Sequence, residues 1–355
     1  MKFSIGYYFF DENENPISYI LDKNIDKIEE VYFPWVNIET CRSSLNDTGG
    51  YIDWSAQERL EYDLVGIHKR NIKLNLLMNS NCYGEKSISE YLMKNVCSVI
   101  DRIESLVGLP DTVTTTSPAI AYIVKTHYKS IEVRASINMM IGNIEGMKYL
   151  SELFDGFYIR RENNRNLSVI RSLKKWADNN GKKLYILANS GCMSYCSGQI
   201  FHDNLVAHEK QISQVINMKD FNPYTCWNYY SNPDNWPEII RNTSWIRPED
   251  IDNYKDLFSV IKIASRMSSR PAETIQAYID RSYDGNLLNI MEPSHGSLLF
   301  PYIIDNKRFP KDWFNKVSDC DKNCKKCGYC DKVFKKVFVS IGSDRNPYVN
   351  YSAMT

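Results

Sequence analysis

The chain has 355 residues, 43% of them hydrophobic and 24% charged, which is ordinary for a globular protein. Its 43 basic and 43 acidic residues cancel, so no overall charge attracts nucleic acid, and RNA is not the favoured partner. No stretch approaches the ~20 apolar residues of a membrane span, and the amino terminus lacks the length and cleavage pattern of a signal peptide. We therefore expect a soluble, cytoplasmic protein without a membrane partner.

Eight short β-rich apolar runs alternate with helical patterns along the first 300 residues. They lie at residues 2–10, 28–35, 72–79, 111–117, 131–138, 156–161, 183–189 and 258–264. Continuous apolar runs such as KLNLLM are typical of strands buried on both faces, as in a parallel sheet. The alternation predicts an α/β fold, a (β/α)8 TIM-like barrel over residues 1–300, with a doubly wound sheet as the alternative.

Two of the intervening helices carry end signals. Apolar residues recur in three-residue steps over 167–176, and Gly181 is placed to end that helix. In the other helix, Ser269 can cap the amino terminus, Pro271 lies in the first turn and Gly285 closes the end.

Reactive side chains follow several of the predicted strands. In a (β/α)8 barrel the active site forms at the carboxyl ends of the strands, so residues far apart in sequence converge there. The side chains that we expect at this end are Cys41, Asn79, Cys82, Arg160, Arg161, Glu162, Cys192 and Cys196. The run RRENNR is suited to gripping an anionic substrate, and an exposed, salt-bridged helix start is the alternative interpretation.

Three cysteines lie in polar loops rich in turn residues. Cys192 and Cys196 follow the apolar run KLYILAN, and Cys226 lies in NPYTCWNYYSNP. Such loops cannot bury thiols as ordinary core, so the three residues fit ligation of Zn²⁺ or of an iron–sulfur cluster. Either Cys41 or Cys82 is a candidate fourth ligand; a cluster on three cysteines with one open iron is the alternative.

A second group of cysteines lies in CDKNCKKCGYC, at the spacing C-x3-C-x2-C-x2-C. Packing does not explain this density of thiols, whereas a tetrathiolate zinc or 4Fe–4S site does. We expect a metal site, structural or electron-transferring, in a short carboxy-terminal extension over residues 301–355. Its ligands would be Cys320, Cys324, Cys327 and Cys330.

Other candidates carry weaker signals. His202 follows Cys196 by six residues and can be a ligand, a proton donor or an ordinary loop histidine. The segment IRPED predicts a strand that leads into a proline-started helix, with Glu249 and Asp250 in its first turn. Arg247 in that segment is a further candidate for holding an anionic substrate.

The segment NSGCMSYCSGQIFHDN, the later loop cysteine and the segment TSWIRPEDIDNYKDLFSVIKIASRMSSRPAETIQAYIDRSYDGNL resemble the collagenase-like peptidase family. The resemblance runs to about residue 295. It implies a barrel-like fold with a 4Fe–4S cluster on four cysteines, and relatives that hydroxylate ubiquinone precursors, tRNA or rRNA without oxygen. Cys192, Cys196 and Cys226 match cluster positions of the family, and Cys41 resembles an early cysteine of its quinone branch.

The preferred function is therefore an iron–sulfur enzyme that modifies a small molecule, peptide or RNA without oxygen. Arg160, Arg161 and Arg247 would hold a small anionic substrate or a peptide, with Glu162 and His202 as further catalytic candidates. One alternative is a peptidase-like hydrolase with a Cys–His arrangement that uses His202. Another is a noncatalytic iron–sulfur partner subunit. A protein partner or electron donor would accompany the iron–sulfur functions.

Overall fold

The computed structural model describes residues 1–9, 15–36, 38 and 53–342, apart from the side chain of Lys325. Eight parallel strands close into a barrel in sequence order, and the eighth pairs with the first. Each of the eight predicted runs contains one strand, which confirms the (β/α)8 barrel over the doubly wound alternative. The strands are β1 Lys2–Gly6, β2 Ile28–Phe33, β3 Lys73–Met78, β4 Thr112–Thr115, β5 Glu132–Ala135, β6 Gly156–Tyr158, β7 Lys183–Leu187 and β8 Val260–Ile263.

Helices surround the barrel, and the main apolar core fills the space between them and the strands. They are α1 Ile17–Lys23, α2 Trp54–Lys69, α3 Glu90–Val107, α4 Pro118–His127, α5 Ile144–Lys148, α6 Leu167–Asn179, α7 Gln199–Ala207, α8 Glu209–Ser213, α9 Thr225–Tyr230, α10 Glu238–Arg241 and α11 Pro271–Asp280. The long connection from β7 to β8 carries α7 to α10. None of the described helices is long and apolar enough to cross a membrane.

The predicted helix ends are partly right. Gly181 follows α6 with φ of +63°, which is the left-handed conformation expected after a helix end. Pro271 starts α11 as predicted, but the prediction for Ser269 was wrong, because the capping position directly before Pro271 belongs to Arg270. Gly285 does not close this helix either: the chain turns left-handed earlier, at Arg281.

The carboxy-terminal segment packs against the outside of the barrel. It contains α12 Trp313–Val317, α13 Cys324–Cys327, α14 Tyr329–Val337 and an antiparallel pair of strands, β9 Tyr302–Ile304 and β10 Phe338–Ser340. Trp313 stacks on Trp245 with ring centroids 6.0 Å apart, and Arg241 forms a 3.2 Å salt bridge to Asp331. The four-cysteine segment is thus fixed to the barrel, and the predicted boundary at residue 300 stays a prediction.

Candidate active site

A cavity of about 970 Å³, part of it open to solvent, lies at the carboxyl ends of the strands. Residues on or shortly after six different strands line it, as the barrel topology requires. The lining residues used below are Tyr32, Asn79, Asn138, Arg161, Cys192, Cys196, Gln199, His202, Asp203, Cys226, Lys262, Arg266 and Glu292. The structure therefore brings together residues separated by more than 200 positions in sequence.

The three loop cysteines share this cavity. Cys192 and Cys196 lie in the turn after β7, and Cys226 lies on α9. Gly198 makes this approach feasible, because a Cβ at that position would lie 2.1 Å from Oγ1 of Thr225, the residue before Cys226. The close contact at Gly198 thus holds the start of α9 against the Cys192–Cys196 turn.

Two of the thiols in the cavity, those of Cys196 and Cys226, are held in their protonated form. Burial raises the pKa of Cys226 to about 11, and the nearby Cys192 and Cys196 add to the rise. Burial is also the main cause that raises the pKa of Cys196, with Cys192 again contributing. Since the thiolate is the reactive and ligating form, neither group is activated as a nucleophile by its surroundings.

The gathered thiols do not form a ready metal site. Within the described residues, no three or more His, Cys, Asp or Glu side chains are arranged to hold a metal ion. Cys82 lies outside the cavity lining, where its sulfur accepts a 3.4 Å hydrogen bond from the amide of Gly84. Cys41 lies outside the described residues. The predicted cluster and its fourth ligand stay predictions.

Three of the residues that line the cavity have cationic side chains, Arg161, Lys262 and Arg266. Arg161 is buried, and its guanidinium donates a 3.3 Å hydrogen bond to Asn138; it forms no salt bridge with any described residue. Lys262 and Arg266 lie across the face of Tyr32, at 4.0 Å and 5.6 Å from the ring centroid. These groups give the cavity a positive side that suits an anionic group of a ligand.

Lys262 has the most perturbed amine among the cavity groups. Burial lowers the pKa of Lys262 to about 7, and the charge of Arg266 acts in the same direction. Glu30 and Glu292 oppose that change without cancelling it. A substantial share of the Lys262 side chains is therefore neutral at physiological pH.

Two carboxamides present unused polar atoms. Oδ1 of Asn79 and Nε2 of Gln199 are buried, and neither has a hydrogen-bond partner among the described residues. Both side chains line the cavity, and both are more than nine-tenths buried. An unpaired buried acceptor and donor are costly unless a ligand or water completes them. Together they complement a ligand that offers one N–H and one C=O.

His202, one of the site residues predicted from the sequence, lines the cavity. It lies on α7 with its ring 5.4 Å from the ring of Tyr224 in an edge-to-face arrangement. Its neighbour Asp203 accepts a 3.0 Å hydrogen bond from Asn81. His202 is thus placed near the cysteines, as the Cys–His prediction requires.

Other predicted residues lie elsewhere or have another role. Arg160 is not among the residues that line the cavity, and it pairs with Glu162 at 2.9 Å. Glu162 also accepts the amide of Tyr195 at 3.0 Å, which anchors the turn between Cys192 and Cys196. Although burial acts to raise it, the pKa of Glu162 is lowered by these two hydrogen bonds. Both residues support the site from outside.

Arg247 is not brought to the cavity. It is buried and donates two hydrogen bonds to Asp250 at 2.9 and 3.0 Å, with its guanidinium over the ring of Phe309. The segment after it is a 3-10 helix, Pro248–Tyr254. The described residues 244–247 directly before this helix do not form the predicted strand. An arginine satisfied in this way braces the contact between barrel and carboxy-terminal segment rather than holding substrate.

The four cysteines of the carboxy-terminal segment lie near one another. Burial raises the pKa of Cys330 to about 11, Arg165 opposes the rise, and the other three cysteines add to it. Cys320 accepts a 3.4 Å hydrogen bond from the amide of Lys322, and Cys327 is exposed. The thiols are thus clustered, and a metal at this segment stays a prediction.

Sequence reasoning missed Lys262, Arg266 and Glu292. A lysine inside the apolar run FSVIKIA was the available signal, because alternate residues of a barrel strand face its interior. Arg266 had no such signal: it fits beside β1 because Gly6 leaves room, since a Cβ there would lie 2.5 Å from the Arg266 side chain. That contact joins the two ends of the barrel sequence.

Comparison with known proteins finds similarity, at low sequence identity, to proteins named as a protease and as a peptidase. No family model matches the chain. The chain is 24% identical over 277 residues to an uncharacterized protease of Methanocaldococcus jannaschii, covering 76% of this chain and 78% of that protein. A solved U32 peptidase superposes with a TM-score of 0.51 at 16% identity, over 74% of this chain and 92% of the other; this match shows the fold.

These similarities are in line with the resemblance to the collagenase-like peptidase family seen in the sequence, and the structural match shows the fold alone. They do not extend to iron–sulfur chemistry or to hydroxylation. Of the functions expected from the sequence, they favour the peptidase-like alternative over the preferred one.

Proposed function

We propose that the protein is a peptidase-like hydrolase that cleaves an amide bond in the cavity at the carboxyl ends of the strands. One observation carries the proposal: this single cavity gathers thiols, a histidine, a low-pKa lysine and two unpaired carboxamide atoms. The 24% identity to a protease supports the same class of reaction.

The polar lining fits a peptide substrate. Asn79 Oδ1 would accept the N–H of a peptide group, and Gln199 Nε2 would donate to a carbonyl oxygen. Arg161, which has no acidic partner among the described residues, would bind a carboxylate of the same substrate. A peptide offers all three groups within one short segment.

The thiols contribute unequally to this function. Cys196 and Cys226 have raised pKa values, so at neutral pH they are poor nucleophiles. Cys192 is the remaining thiol for the Cys–His arrangement with His202, and a water molecule activated by another group is the alternative nucleophile.

Hydrolysis of peptides by the full chain tests the proposal. The protein, purified without oxygen, would be incubated with a mixed peptide library, and new termini would be identified by mass spectrometry. We expect cleavage that Cys97→Ser leaves intact, because Cys97 packs against the core on α3. Cys192→Ser separates the two nucleophiles: it abolishes cleavage if the thiol attacks and leaves cleavage in place if water attacks. A folded protein that cleaves no peptide would contradict the proposed function.

The second candidate is an iron–sulfur enzyme that carries out oxygen-independent chemistry with electrons from a protein donor. The location of Cys192, Cys196 and Cys226 in one cavity favours it, although they are not preset for ligation. Iron and sulfide analysis after anaerobic reconstitution tests it. If the barrel holds a 4Fe–4S cluster, about four irons per chain are expected, and Cys192→Ala should remove them. If the carboxy-terminal cysteines hold a second cluster, about four more irons are expected, and Cys324→Ala should remove those. If the carboxy-terminal cysteines bind zinc instead, only the four irons of the barrel cluster would be found.

A further inference from the structure

Lys262 is a lining residue of the cavity. It lies on β8 between Ile261 and Ile263. These two isoleucines belong to the core between the strands and the helices, so Lys262 faces the interior of the barrel. Its Nζ lies 4.0 Å from the ring centroid of Tyr32 and 5.2 Å from that of Tyr158. The ammonium forms no salt bridge with any described residue, yet it lines a cavity that reaches solvent.

Tyr32 is itself fixed in place. Its hydroxyl donates a 2.8 Å hydrogen bond to the carbonyl of Ile263 and accepts one from the amide of Ser265 at 3.3 Å. The hydroxyl is therefore engaged with the backbone just beyond Lys262, and the face of the ring is what the amine meets. A ring face stabilises an ammonium through its quadrupole without taking its proton.

We infer that Lys262 is the general base of the hydrolytic site, a role that rests on the proposed function. Its position on β8, its place in the cavity lining and the absence of an ion-pair partner among the described residues single it out. The charged and titratable groups that act on its amine are Arg266, Glu30, Glu292 and Arg134, together with the two tyrosines beneath it. The low pKa of Lys262, caused first by burial, is consistent with this role.

The step balances without an oxidant or reductant. The neutral amine takes a proton from a water molecule while the water oxygen bonds to the carbonyl carbon of the substrate. The carbon–nitrogen bond then breaks, and the proton on Lys262 passes to the leaving nitrogen. The products are a carboxylic acid and an amine, and Lys262 returns to its neutral form. One water molecule is consumed.

Competitive labelling with acetic anhydride across a pH series tests the amine directly. The modified fraction of the peptide containing Lys262 would be read by mass spectrometry in the intact wild-type protein. We expect a labelling midpoint near pH 7. A lysine with the ordinary pKa of about 10.4 would remain almost unlabelled at pH 7, and that result for Lys262 would overturn the inference whether or not the protein cleaves peptides.

Kinetics of peptide cleavage test the role in the reaction. We expect kcat/KM of the wild type to fall below pH 7, and Lys262→Arg to lose about 100-fold or more because guanidinium cannot accept the proton. Lys175→Arg, the same change at an exposed lysine on α6, is the matched control. Wild-type cleavage that Lys262→Arg leaves unchanged would overturn the inference while the proposed function stands. A labelling midpoint near 7 without any cleavage would contradict the proposed function, and with it the role of Lys262 as a base.

Discussion

Glu30 on β2 and Arg134 on β5 form an ion pair inside the barrel, in which Nη1 of Arg134 donates to both carboxylate oxygens at 2.8 and 2.7 Å. Both side chains are almost fully buried. Glu30 also accepts hydrogen bonds from Ser4 on β1 and Asn75 on β3, at 2.6 and 3.0 Å. This pair ties four strands together below the cavity and places a negative charge beneath Lys262.

Neutralising one member of this pair is therefore expected to destabilise the fold. Glu30→Gln keeps the shape but leaves the Arg134 charge without its main partner, and we expect a loss of about 3 kcal/mol in the free energy of unfolding. Urea unfolding followed by circular dichroism measures it. Lys174→Ala, which breaks an exposed pair with Asp178, should cost at most about 0.5 kcal/mol. Equal midpoints for the two variants would show that the pair does not stabilise the barrel.

The strand order could be predicted from the sequence because each strand lies in a short β-rich run that is largely buried and is separated from the next by a helix. The site could be predicted only where a reactive side chain directly follows such a run, as with Cys192, Cys196 and Arg161. Arg247 shows the limit: its segment predicts a strand that leads into a helix, but Arg247 pairs with Asp250 and lies over Phe309 of the carboxy-terminal segment, a contact that the local sequence does not show. Lys262 was hidden because its run was identified as a strand from the neighbouring apolar residues.

The adjacent residues Arg160 and Arg161 allow a matched test of substrate binding, because only Arg161 lines the cavity. Arg161 lines the cavity, whereas Arg160 pairs with Glu162 outside it. Arg161→Gln should raise KM for a peptide carrying a carboxylate about tenfold or more, since a hydrogen bond to a charged group contributes about 1.5–3 kcal/mol. Arg160→Gln should change KM much less. Steady-state kinetics with acidic and neutral peptides would show the difference, and equal effects on both peptides would argue against a carboxylate at Arg161.

The thiol of Cys226 in the cavity should react slowly at neutral pH. With its pKa raised to about 11, Cys226 carries little thiolate at pH 7, and its alkylation rate should keep rising until the pH passes that value. Iodoacetamide labelling of chelator-treated protein, resolved by residue with mass spectrometry, measures the rate. Exposed Cys327 serves as the reference for an accessible thiol. Rapid alkylation of Cys226 at pH 7 would contradict the protonated state.

We expect the carboxylate of Glu132 to account for part of the loss of stability of the fold in acid. Burial acts to raise its pKa, but Arg134, Lys183 and the hydroxyl of Tyr185 outweigh it and lower the pKa to about 2. Because the folded-state pKa lies below the unfolded value of about 4.3, this carboxylate stabilises the fold above pH 4.3, and its contribution is lost as the pH falls toward 2. Urea unfolding between pH 5 and pH 2 should show a shallower decline for Glu132→Gln. Parallel curves for variant and wild type would contradict this assignment.

Gln199 should show a trade between stability and substrate binding. Its Nε2 is buried without a partner among the described residues, so Gln199→Leu removes an unsatisfied donor at nearly constant volume. We expect the free energy of unfolding to rise by about 1 kcal/mol and KM for peptides to rise several-fold, because the donor is satisfied only when substrate is bound. Thermal unfolding and steady-state kinetics on the same preparations measure both. The exposed Gln211→Leu on α8 should change neither quantity, and a Gln199 variant that gains stability with unchanged KM would show that the amide does not contact the substrate.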